Sequence, residues 1–177
     1  MDMGVKRLAV VLALLLLGLS AAFAQSVRIN EVNPSGQWIE LYNAGEEAVD
    51  VSTYQVCNRP AYAPVGNLPI VSGELTIAPG GFLVVEWDAL AGDQAELGLY
   101  TEGAFSSADA LVDYLEWGAA GGGRESVAVE AGLWQAGDFA ELPGEGQSLV
   151  YSDAGETGLE HWSAAEPTPG EANPGSE

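Results

Sequence analysis

The chain has 177 residues, with 26 Asp and Glu against 5 Lys and Arg, a formal net charge of −21, one cysteine and one histidine. That balance excludes nucleic acid as a partner, because binding a phosphate backbone needs a basic footprint that is missing here, and it disfavours anionic lipid surfaces. A single cysteine excludes an internal disulfide, and one cysteine with one histidine cannot build the usual four-ligand zinc set.

At the N-terminus, Lys6 and Arg7 precede the apolar stretch Leu8 to Leu19, and Ala22-Phe23-Ala24 places small residues where a signal peptidase reads them. The pattern predicts a signal peptide over residues 1–24 with cleavage before Gln25. Its apolar core is shorter than the ~20 residues of a spanning helix. The only cysteine, Cys57, is far from the cleavage site, so lipid anchoring through that route is out. Residues 25–177 are then expected as one β-sandwich domain with a short disordered C-terminal tail, secreted or periplasmic, with no stable membrane insertion after signal cleavage. Removing residues 1–24 takes away two bases and one acid and moves the formal charge from −21 to −22, leaving Arg28, Arg59 and Arg124 as the basic residues. Scattered acids of this kind read first as a solvated or salt-adapted surface, with divalent-cation binding or a basic partner as the alternatives.

In chain order, Ile29 to Asn33, a Pro34-Ser35-Gly36 turn and Trp38 to Asn43 predict a half-buried hairpin, with Ile39 and Leu41 facing one way and Trp38, Glu40 and Tyr42 the other. Further strands are expected over Ala48 to Val51, Tyr54 to Asn58, Glu74 to Ile77, Phe82 to Trp87, Leu97 to Thr101, Leu111 to Trp117 and Gln147 to Tyr151. Phe82-Leu83-Val84-Val85 is apolar on consecutive positions, as in a central strand buried on both faces. Arg59 to Pro69, with Pro60, Pro64, Gly66 and Pro69, is expected to be a surface loop. Ala119 to Gly123 is a second breaker. Over residues 108–117 the spacing of Ala108, Leu111, Val112 and Leu115 is helical, with Ser106 and Asp109 placed like a capping box. Pattern alone says helix; the family resemblance described below implies a strand, the Trp117-Gly118 ending and the aromatic content agree with it, and strand is the reading adopted. Many short strands with turn punctuation predict an all-β fold.

The run Ile29-Asn30-Glu31-Val32, its turn, the run Trp38-Ile39-Glu40-Leu41-Tyr42-Asn43, the strand entry Ala78-Pro79-Gly80-Gly81-Phe82-Leu83-Val84-Val85 and the closing Thr168-Pro169-Gly170-Glu171-Ala172-Asn173 together resemble the lamin tail domain family. Exported members also carry, in this order, runs like Asp113-Tyr114-Leu115-Glu116-Trp117-Gly118, an arginine like Arg124, a motif like Gly132-Leu133-Trp134 and a last tryptophan like Trp162. The resemblance covers residues 27–173 and implies an immunoglobulin-like β-sandwich. The family fold serves in nuclear-envelope filaments and in exported bacterial proteins, so it does not by itself fix an activity. The association of some members with DNA or chromatin is not carried over to a chain this acidic.

Candidate chemistry is sparse. Glu31 and Glu40 sit near the facing ends of the first hairpin, and either form an acid/base dyad or, as favoured, fix the hairpin through backbone or arginine bonds. Asp88, Asp93 and Glu96 share the loop from Trp87 to Leu97 but lack the spacing of a calcium loop. Trp38, Trp87, Trp117, Trp134 and Trp162, with the tyrosines, form either an exposed stacking platform or, more often in a sandwich, core packing. Cys57 reads as a small buried hydrophobe rather than a nucleophile paired with His161. No catalytic, cofactor-binding or metal-ligating set is assigned. The expected function is therefore that of a noncatalytic, cofactor-free exported module that binds an unknown protein or glycan. The alternative is a calcium-dependent accessory module or subunit of an exported hydrolase.

Overall fold

The computed structural model describes residues 26–90, 92–152 and 156–175, so the signal peptide expected over residues 1–24 lies outside the described residues. Strands β1 (Val27–Asn33), β2 (Trp38–Asn43), β3 (Val49–Asp50), β4 (Gln55–Asn58), β5 (Ala61–Pro64), β6 (Ile70–Ser72), β7 (Thr76–Ile77) and β8 (Phe82–Glu86) come first in the chain. They are followed by β9 (Ala95–Tyr100), β10 (Leu111–Trp117), helix α1 (Glu125–Glu130), β11 (Ser148–Tyr151) and β12 (Trp162–Ala165). Two main sheets result, in the orders β12-β11-β1-β2-β8-β6 and β10-β9-β4-β5, with β3-β7 as a small third ladder. The all-β expectation holds, and the arrangement is sandwich-like. Ile29, Val32, Ile39, Leu41, Leu83, Val85 and Leu149 of the six-stranded sheet share one buried cluster with Val56, Leu97, Leu99, Leu115 and Trp117 of the other. Among the described residues no helix is long and apolar enough to cross a membrane.

The β1–β2 hairpin turns where Asn33 Oδ1 accepts hydrogen bonds from Gly36 N at 2.6 Å and Ser35 Oγ at 3.0 Å, closing an Asx-type turn. Its register shifts between Ile29 and Glu31, so Asn30 is a β-bulge. The bulge explains a spacing that simple alternation cannot. Ile29 and Val32 both point into the core although they are three residues apart, and Glu31 is turned to the opposite face, across from Glu40. The expected hairpin is therefore right in its strands, but its outer side is not a solvated face: Glu31 and Glu40 are both fully buried.

Residues 108–117 satisfy both competing signals in sequence: Ala108–Ala110 make one 3-10 turn, and β10 starts at Leu111. The surface loop expected over Arg59 to Pro69 needs correction. It contains β5, an edge strand of the four-stranded sheet, and a 3-10 turn over Val65–Asn67. Proline is tolerated in an edge strand because no neighbour on that side asks for its missing N–H. The β8 run is buried on both faces at Leu83, Val84 and Val85, as its consecutive apolar residues imply, but it lies second from the sheet edge rather than at the centre. The closing motif belongs to the fold: Asn173 is buried, and the segment from Thr168 to Asn173 is bonded to the outer face of the six-stranded sheet.

Candidate functional site

Two buried glutamate pairs, one on the outer face of each sheet, are the most unusual chemistry of the molecule. Glu31 and Glu40 are directly opposite on β1 and β2, and the same rung continues to Val150 of β11 on one side and Val84 of β8 on the other. Val84 and Val150 are buried yet stand outside the cluster between the sheets. The closing segment is what lies over this rung. Thr168 donates to Glu31 from its backbone N at 3.2 Å, its Oγ1 lies 3.0 Å from Glu31 Oε2, and Gly170 N donates to Glu40 Oε2 at 2.5 Å. The Pro-Gly turn is tightened by a bond from Glu171 N to Thr168 O at 3.0 Å. Asn173 Nδ2 then donates to the carbonyls of Asn30 and Tyr151, pinning the strap back onto β1 and β11. Asn30, the bulge residue, donates to Glu40 Oε1 at 2.7 Å. Burial pushes the Glu40 carboxyl up to about 7, against the bonds from Gly170 and Asn30 and helped by the neighbouring Glu31.

The second pair is Glu96 and Glu116, opposite each other on β9 and β10. Tyr114 Oη reaches both, at 2.9 Å to Glu96 and 3.0 Å to Glu116, and its single hydrogen serves one of them at a time. Gly122 N donates to Glu116 at 2.5 Å, and the backbone N of Arg124 and of Arg59 donate to Glu96 at 2.7 and 3.3 Å. A Cβ on Gly122 would stand 2.5 Å from Glu96 Oε2 and 2.9 Å from Tyr114 Oη, so this position of the Ala119–Gly123 breaker has no room for a side chain beside the pair. Burial raises the Glu116 carboxyl, with the Gly122 and Tyr114 bonds opposing it, and burial plus the two carboxylates drive the Tyr114 phenol far up. A polar cavity of about 200 Å³ opens beside the pair, lined by Asn58, Arg59, Gln94 and Gly121 to Gly123 along with the two glutamates.

A further acid, only partly buried, ties the two sheets together. Asp113 Oδ2 accepts from Ile29 N at 2.8 Å, at the β1 bulge, while its Oδ1 accepts from Tyr114 N at 2.8 Å. Burial lifts this carboxyl to about 6, opposed by those two bonds and by Arg28.

The acids singled out between Trp87 and Leu97 are not brought together. Asp88 opens a 3-10 turn, Glu96 turns into the pair just described, and among the described residues no group of three His, Cys, Asp or Glu is disposed to hold a metal ion. The tryptophans pack inward, as favoured from the sequence, rather than forming a stacking platform: Trp87, Trp117, Trp134 and Trp162 are buried and only Trp38 is partly open. Among the described residues the most exposed aromatic is Tyr62, 65% exposed on edge strand β5, with the Phe105 ring at 5.1 Å and Tyr100 edge-on to Phe105 at 5.2 Å. Arg124 stands over the same Phe105 ring at 5.9 Å. Cys57 is buried in β4, where desolvation pushes its thiol up against the opposing pull of Arg124. His161 belongs to the other sheet's margin, near Tyr151, Glu156 and Glu160.

Sequence reasoning missed Asp113, Tyr114 and the partners supplied by Thr168 and Asn173. A charge inside an otherwise apolar strand is the signal that could have found the second pair. Glu96 and Glu116 each sit beside leucine or tryptophan in runs that are otherwise buried. No model of a protein family, no curated protein and no solved structure matches this chain.

Proposed function

We propose that this protein is a noncatalytic, exported interaction module with an immunoglobulin-like sandwich of the lamin-tail type, binding a protein or glycan outside the cytoplasm. The observation that carries this reading is the Tyr62–Phe105 surface. It is an open aromatic ring on an edge strand, backed by two further rings, in a molecule whose other large aromatics are mostly turned inward. Rings held this way supply contact area without losing much side-chain freedom on binding. The four buried glutamates and the partly buried Asp113 support the same reading. Glu31, Glu40, Glu96, Glu116 and Asp113 each accept at least one backbone N–H, which is a structural use of a carboxylate.

The lamin-tail assignment rests on the ordered motifs from Ile29 to Asn173, together with the packing of the last of them over the first. The extracytoplasmic location rests on the leader pattern of residues 1–24. A glycan array and an array of envelope proteins, probed in parallel with hydrolase substrates, test the function. Binding without turnover is expected, weakened about tenfold or more by Tyr62→Ala, the 1.4 kcal/mol or more of a hot-spot ring. Turnover that Glu96→Gln or Glu116→Gln abolishes, or binding indifferent to Tyr62, overturns it.

A further inference from the structure

We propose that the Glu31–Glu40 pair is a proton-held latch on the C-terminal strap: the strap lies closed while the pair holds one proton and lifts when that proton is lost. The hydrogen count at Thr168 carries the argument. Its hydroxyl has one hydrogen but lies 3.0 Å from two acceptors, Glu31 Oε2 and Asn173 Oδ1. The Asn173 amide has no hydrogen to return, because its Nδ2 is committed to the carbonyls of Asn30 and Tyr151. A proton on Glu31 resolves the contact, giving a directed run from Glu31 through Thr168 to Asn173.

The surroundings favour that proton. Facing the pair are Asn30 from β1, Thr168 and Gly170 from the strap, Val84 from β8 and Val150 from β11, all uncharged. The charged residues of the strap, Glu166 and Glu171, are exposed acids, and the Arg28 guanidinium further along β1 lies over the Tyr42 and Tyr151 rings. The rise of Glu40 toward neutrality agrees, and the proton belongs to the pair rather than to one residue. Without it, two full charges stand directly opposite on neighbouring strands, out of water. Strands β1 and β2 are each paired on both sides, so the strap is the element that can yield.

The latch is independent of what Tyr62 binds, and its test does not use a ligand. Carbon-13 titration of the Glu40 carboxyl in the full chain should show a step near neutral pH. A Glu40 titration in the ordinary carboxylate range would overturn the proposal. Hydrogen exchange, corrected for intrinsic rates, should show the Thr168 and Gly170 amides losing protection at least tenfold between pH 5.5 and 8.5 while β9 and β10 keep theirs. In Glu40→Gln that pH dependence should vanish, and its persistence there would count against the latch. Should the variant fail to fold, the wild-type titration still decides.

Discussion

At Glu40 a carboxyl ordinarily titrating at 4.5 is held near 7 by burial. The folded chain therefore keeps a proton that the unfolded chain has already released. The stability tied to Glu40 is complete below pH 4.5 and is lost as pH rises through 7, about 3 kcal/mol in all at about 1.4 kcal/mol per unit. Asp113, lifted from 3.8 to about 6, adds in the same direction over a more acidic window. Denaturant melts should show a midpoint that falls from pH 5 to pH 8, and a midpoint rising over that interval would contradict both assignments. At Leu41, fully buried on the inner face of β2, truncation to alanine should cost about 2 to 5 kcal/mol. A methyl added in Gly122→Ala meets two carboxylate oxygens and a phenol, so a loss of about 1 to 3 kcal/mol is expected, read as a lower urea midpoint.

Among the elements, the strap should be indispensable to the outer face. A chain ending at Ala165 loses the Thr168 and Gly170 donors to Glu31 and Glu40, leaving Glu31 without the bonds that hold it and Glu40 with Asn30 alone. Calorimetry should find a melting point several degrees lower, and an unchanged one would mean that the strap adds nothing to the fold. The same element marks the limit of reading from sequence. The first hairpin was legible because strand, turn and strand are contiguous and alternate. The grip of Thr168 on Glu31 spans 137 residues, and no local pattern encodes it. A recurring motif order placed the two ends in one fold without saying that they touch. Edge strands β5 and β6 were hidden for another reason: prolines and short length read as loop, and only a neighbouring strand makes either one a strand. Asn30 conceals a bulge, so the outward turn of Glu31 follows from pairing rather than from alternation.

For the whole molecule, the sign of the salt effect follows from which charges are paired. The chain carries 26 acids and 5 bases, and among the described residues neither Arg59 nor Arg124 lies within ion-pair distance of a carboxylate. The carboxylates that are buried are held by backbone N–H groups and neutral side chains, interactions that added ions screen little. Screening therefore removes mainly repulsion between exposed acids. As the Debye length falls from about 10 Å at 0.1 M to about 3 Å at 1 M, that repulsion within the compact state weakens. Thermal melts at pH 7 should move upward steadily with sodium chloride across this range. If the midpoint stays flat or falls, the surface acids are already neutralised by bound cations. Repeating the melts after exhaustive chelation, which would then lower the midpoint, identifies divalent ions as the cause.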